Sequence, residues 1–273
     1  MIAKTVAFVI CCAVASASPQ GRIAGGEAAE VESHPYMTAL VYYYPRPDIY
    51  IQRCVGPLIS SWHVLTTAYC FNGATLENFQ VRAGSTKSME GGSVTTIVEV
   101  IEHPDYVLNP RENDIAVVLL ATPFSVSDVT YPLPLPPQNL YLAEGTAGVV
   151  TGWGFDGEDG DQLDSLNTVT LRTVSLDTCE KAYADVSDVA IKDTVLCASE
   201  ENKGTCFGDS GAPLTTYIYS QKALIGISSV YKDCGSAEYP DVFTRVDRFT
   251  DWILEVAVVP SKSSGYASPQ LAV

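Results

Sequence analysis

Gly204-Thr205-Cys206-Phe207-Gly208-Asp209-Ser210-Gly211-Ala212-Pro213-Leu214 sets a serine on a glycine-flanked turn, four residues after a cysteine. A turn of this kind exposes the hydroxyl and aims successive backbone N–H groups at one point. A nucleophile that must stabilise a developing oxyanion needs that geometry. Ser210 is therefore the candidate nucleophile, with the N–H groups of Gly208 and Ser210 as the candidate oxyanion hole. On its own the stretch reads equally well as a turn serine before a strand.

The surroundings predict an all-β chain. Short β-branched and aromatic runs recur between Gly, Pro, Asn and Asp clusters from about residue 23 to 255: Val55–Ser60, Val64–Ala68, Ser93–Ile101, Ile115–Leu120, Thr146–Gly152, Val169–Val174, Ala223–Ser229 and Val242–Val246. The proline-rich 131–137 segment cannot pair as a central strand and predicts a connector between two β units near 131–140. Phe249, Trp252, Ile253, Val256 and Ala257 follow the stripe of an amphipathic helix, which predicts one long closing helix. Residues 260–273 read as a flexible tail.

Composition narrows the function. The chain has 273 residues, with 16 Lys+Arg against 32 Asp+Glu and a net charge of −16. Without a basic cluster, nucleic acid and anionic membrane are not expected partners. Residues 1–17 carry one lysine, an apolar run too short to span a bilayer and Ala15-Ser16-Ala17, the pattern of a cleaved signal peptide. A secreted, extracellular chain follows. Removal of that segment takes Cys11 and Cys12 and leaves Cys54, Cys70, Cys179, Cys197, Cys206 and Cys234. Six cysteines allow about 15 pairings, of which 54/70, 179/197 and 206/234 keep every loop local. Neither a Cys-x-x-Cys nor a calcium-loop register occurs, and the acid-rich 156–164 stretch reads as a solvated loop, so no metal and no cofactor are expected.

Six ordered motifs resemble the chymotrypsin/trypsin superfamily of serine proteases. They are Arg22-Ile23-Ala24-Gly25-Gly26, Leu65-Thr66-Thr67-Ala68-Tyr69-Cys70, Asn113-Asp114-Ile115-Ala116, Thr151-Gly152-Trp153-Gly154, the Ser210 turn, and Pro240-Asp241-Val242-Phe243-Thr244-Arg245-Val246. The resemblance implies two six-stranded antiparallel β-barrels with a C-terminal helix, over a domain spanning 23–259. It implies a propeptide at 18–22, cut after Arg22 by a trypsin-like protease, whose removal would free the Ile23 amine to pair with Asp209. Ser210 falls on the nucleophile and Asp114 on the buried carboxylate. Without the resemblance, Asp114 is simply a polar residue opening the strand at Ile115.

The family's general-base histidine is Tyr69 here. A phenol with the ordinary pKa near 10 is about one part in a thousand phenolate at pH 7, and it cannot bridge carboxylate and serine while shuttling a proton. His34, His63 and His103 occupy other motifs, and none is a substitute. In the specificity pocket, Gly204 is the floor and Asp241 the wall, an exchange similar to brachyurin-type crab collagenases and some insect digestive proteases, which implies an ancestor of mixed basic and apolar preference. Ser229-Val230-Tyr231 replaces the Ser-Trp-Gly that pairs with substrate backbone, so Tyr231 is expected across the pocket mouth, and Val55 is expected to disturb the leaving-group side. We therefore expect a secreted homologue without peptidase activity that binds a protein or peptide at its cleft. The rivals are an active endopeptidase of mixed specificity and a structural or storage protein.

Overall fold

The computed structural model describes residues 24–259, apart from Ala237. The expected signal peptide, the expected propeptide with Arg22, Ile23 and the expected tail at 260–273 lie outside the described residues. The first seven strands are β1 (Glu27–Ala28), β2 (Met37–Tyr44), β3 (Ile49–Pro57), β4 (His63–Thr66), β5 (Phe79–Ala83), β6 (Ser93–Glu102) and β7 (Ala116–Leu120). Six more follow: β8 (Ala147–Gly152), β9 (Asn167–Val174), β10 (Val195–Ser199), β11 (Pro213–Ile218), β12 (Gln221–Val230) and β13 (Asp241–Arg245).

Strands β8 to β13 close into a ring in the order β8-β9-β10-β13-β12-β11, with β11 returning to β8 through Leu214↔Val150 and β1 added outside β9. In β9 the two-residue period is plain: Asn167, Val169, Leu171 and Thr173 are buried and their neighbours less so. The N-terminal sheet runs β3-β2-β5-β6-β7-β4 and curls until its ends meet at the single Leu58–Val64 bridge. The two-barrel expectation therefore holds, with a closed second barrel and a curled first one.

Residues 131–137 connect the two, as their prolines predicted. Tyr131 N–H donates to Pro35 O (2.9 Å) and Leu133 N–H to Leu58 O (2.8 Å) on the first barrel, while Leu224 N–H reaches Pro134 O (3.1 Å) on the second. Leu133 and Leu135 then enter the larger core with Trp153, Leu214 and Ile253.

The single long helix is corrected. The C-terminal helix, α2, spans only Thr250–Val256, and a second helix, α1, spans Leu176–Ala182. The stripe is real, since Phe249, Ile253 and Ala257 are buried. The two ends of the stripe, Phe249 and Ala257, are the helix caps, and a 3₁₀ turn at Val246–Arg248 precedes them. Helix α1 begins at Ser175, whose hydroxyl accepts from Thr178 N–H at 3.2 Å.

The cysteines pair locally as Cys54–Cys70, Cys179–Cys197 and Cys206–Cys234. Cys54–Cys70 fastens β3 to the turn after β4 across 16 residues. Replacing both cysteines by alanine should lower unfolding free energy by about 3 kcal/mol, the loop-closure value for this length. Urea unfolding of the paired variant against the parent measures it.

Candidate functional site

Three segments converge between the barrels. The first is the 3₁₀ turn Ala68–Phe71, which follows β4 and carries Tyr69. The second is Asp114, just before β7, whose backbone carbonyl accepts from Thr244 Oγ1 at 2.7 Å and so is held by β13 of the other barrel. The third is the Ser210 turn, anchored where Val55 N–H donates to Ser210 O (2.9 Å) and Gly211 N–H to Ser228 O (2.8 Å). Gly211 has φ +86, and a Cβ there would lie 2.0 Å from Val55 O, so only glycine fits.

Asp114 is buried and its carboxylate is engaged on both oxygens. Tyr69 N–H donates to Oδ1 at 2.8 Å, and Ser229 Oγ–H donates to Oδ2 at 2.6 Å. Burial raises its pKa above the usual carboxylate value, opposed by these bonds and by the Arg111 charge. Tyr69 meets Asp114 through its backbone. Its ring is 38% exposed and lies under the Arg111 guanidinium, whose carbon is 3.8 Å from the ring centre. Neither the Tyr69 hydroxyl nor Ser210 Oγ hydrogen-bonds to any described residue.

Asp209 is wholly buried and accepts from Gly154 N–H (2.8 Å) and Cys206 N–H (3.1 Å). No cation pairs with it among the described residues, and burial pushes its pKa up to about 7. Gly154 is required by this approach, because a Cβ would sit 2.2 Å from the carboxylate. Gly208 is pinned by a residue the sequence reading passed over: buried Gln52 donates from Nε2 to Gly208 O at 2.7 Å, and Gln162 Nε2 closes on Gln52 Oε1 at 2.5 Å. Nothing local marks this pair, which lies 110 residues apart.

The histidines fall elsewhere. His34 sits between Tyr36 OH (2.9 Å) and Thr151 Oγ1 (3.2 Å), with burial first and Lys222 second lowering its pKa to about 4. His63 meets Ser60 Oγ at 2.8 Å, and His103 packs on Phe249 and Trp252.

The pocket residues come together. Thr205 N–H donates to Asp241 Oδ2 at 2.6 Å, and a Cβ on Gly204 would lie 3.0 Å from the same oxygen. Tyr231 packs edge-on against Phe207 at 5.5 Å, with Phe155 beyond at 5.9 Å. The expected disturbance from Val55 is corrected: its side chain is fully buried in the main core, because the β3 register turns it inward. No group of three or more potential metal ligands occurs among the described residues.

Burial raises the Asp241 pKa to about 7, against the Thr205 hydrogen bonds and with a further upward push from Asp209. For a carboxyl raised above its unfolded value, the stabilising contribution is full below the unfolded pKa and is lost as pH rises through the folded one. Asp241→Asn keeps an oxygen for Thr205 and removes that loss. Between about pH 5 and pH 8 the stability difference should move by ~2 kcal/mol in favour of the asparagine form. Urea midpoints at the two pH values measure it, and a difference independent of pH would contradict this assignment.

Comparison with known proteins agrees with this architecture. The trypsin family model matches residues 23–253. Trypsin CFT-1 of Choristoneura fumiferana is 33% identical over 255 residues, covering 91% of this chain and 97% of that protein. Trypsin, alkaline C of Manduca sexta is 31% identical over 244 residues, covering 88% and 93%. Venom serine protease Bi-VSP of Bombus ignitus is 34% identical over 242 residues, covering 84% of this chain and 67% of that protein. With two β-barrels, the serine turn and the buried aspartates at the junction, the chain belongs to the trypsin family of serine proteases and their homologues.

Proposed function

We propose that this chain is a secreted trypsin-family homologue that does not hydrolyse peptides and acts by binding a protein or peptide at its cleft. One observation carries the reading. Ser210 Oγ has no described hydrogen-bond acceptor, while the Asp114 carboxylate is already engaged by Tyr69 N–H and Ser229 Oγ. In a serine protease, base and nucleophile act as one unit, and removing the base alone typically lowers turnover by about a million-fold. Tyr69 stands at the base position, and its hydroxyl is directed to neither partner.

The rest of the machinery supports descent from an active enzyme. Asp209, Gly208 and Ser210 keep the nucleophile turn, and Gly204 with Asp241 form the pocket base of the ancestral specificity. The buried Asp209, without a described cation, suits the Ile23 amine that cutting after Arg22 by a trypsin-like protease would release. Three disulfides suit an oxidising, extracellular compartment. The binding surface is the rim around Phe155, Phe207 and Tyr231, where Phe207 is 52% exposed.

After trypsin treatment, the chain should not hydrolyse casein in any Ser210-dependent way, and a fluorophosphonate probe should leave Ser210 unlabelled near neutral pH. Casein hydrolysis abolished by Ser210→Ala would overturn the reading. A rate climbing toward about pH 10 would then assign the base to the Tyr69 phenolate.

A further inference from the structure

Arg111 lies between Tyr69 and the buried Asp114 carboxylate, which its charge also faces. Its backbone is fixed in a turn closed by the Val107–Glu112 bridge. Arg111 N–H donates to Asp188 O (2.9 Å), and Ala190 N–H donates back to Arg111 O (3.3 Å). Glu112 adds an ion pair with Lys192 at 2.6 Å. The side chain, only 17% exposed, is thus aimed inward by contacts from both barrels.

The guanidinium makes three contacts there. Its plane covers the Tyr69 ring at 3.8 Å. Nη1 donates to Ser229 O at 2.7 Å. Nε lies 4.0 Å from Asp114 Oδ2 and is buried with no hydrogen bond. A planar guanidinium can stack and donate at once, which an ammonium cannot do equally well.

Ser229 O is not an ordinary ladder carbonyl. The β12–β13 register shifts between Ser228↔Phe243 and Val230↔Val242, so the intervening Ser229 has no partner residue in that ladder. Although β12 lies between β13 and β11, its end at Ser229–Val230 runs past the first β11 pairing at Pro213↔Ile227, and free main-chain groups of this kind can recognise an extended peptide. Arg111 already holds this one.

We propose that Arg111 is a built-in occupant of the peptide-binding edge, holding Ser229 O and the Tyr69 face so that an extended peptide enters only by displacing it. This rests on the reading that the cleft binds without hydrolysing, and it names what governs access to that cleft. A partner that leaves Arg111 in place makes its contacts on the aromatic rim. Proteolysis is then lost twice, in the proton acceptor and in the substrate edge.

The test uses the full chain after trypsin treatment in four forms: unaltered, Tyr69→His, Arg111→Leu and both together. A small activated acetyl ester needs no bond to Ser229, whereas an N-acyl tetrapeptide anilide does. Tyr69→His should gain on the ester and scarcely on the anilide. The double variant should exceed Tyr69→His by about 100-fold in anilide kcat/KM, chiefly through KM, with ester rates within about 5-fold. Anilide cleavage by Tyr69→His within about 5-fold of the double variant overturns the proposal. If neither histidine form turns over any substrate, binding of an N-acetyl tetrapeptide amide decides: Arg111→Leu, or Arg111→Ala should the leucine form not fold, binds about 30-fold tighter than the unaltered chain, and equal affinities overturn the proposal. Ser210-dependent hydrolysis by the unaltered chain would refute the non-proteolytic reading separately, since the comparison among the four forms still reads Arg111.

Discussion

The carboxylate of Asp114 joins the two halves of the molecule. A buried charge of this kind persists only if both oxygens are satisfied, and the donors that satisfy it come from opposite sides: Tyr69 N–H from the first barrel and Ser229 Oγ–H from the second. Thr244 bonds the same residue's backbone carbonyl. The serine turn, the Tyr69 turn and the substrate edge are placed relative to one another through this residue. The bond from position 69 is made by its backbone and does not depend on the side chain there.

The shape of the site therefore does not depend on the side-chain chemistry at position 69. The Tyr69 ring offers a flat electron-rich face, which the Arg111 guanidinium covers at 3.8 Å, and a guanidinium is the cation best suited to cover one. Tyr69 and Arg111 are thus one physical unit, in which each accounts for the other's orientation.

Much of the fold was legible because it is written locally. The disulfide loops are short, the serine turn is contiguous, and the connector announces itself by its prolines. Strands β1, β2, β5, β10 and β11 are not legible in the sequence. Met37–Tyr44 is buried along most of its length without alternation, and Pro213–Ile218 was absorbed into the reading of the serine turn. The closing helix is shorter than its apolar stripe because the stripe's end residues, Phe249 and Ala257, are caps rather than helical positions. Val55 was misjudged because a strand's inward face is set by its partner's register. Gln52, Gln162 and Arg111 were invisible for a related reason: their meaning lies in partners far along the chain, and an isolated glutamine or arginine carries no local signature.

The ring of the second barrel is closed by Leu214↔Val150 and Thr215↔Val149. Those pairings bring together strands between which β9, α1, β10 and the entire nucleophile turn have been laid down. Non-local closure of this kind forfeits chain entropy before any contact compensates it, and it slows folding. The nucleophile turn hangs directly on the closing strand β11. Its position therefore depends on the closure of the barrel wall behind it.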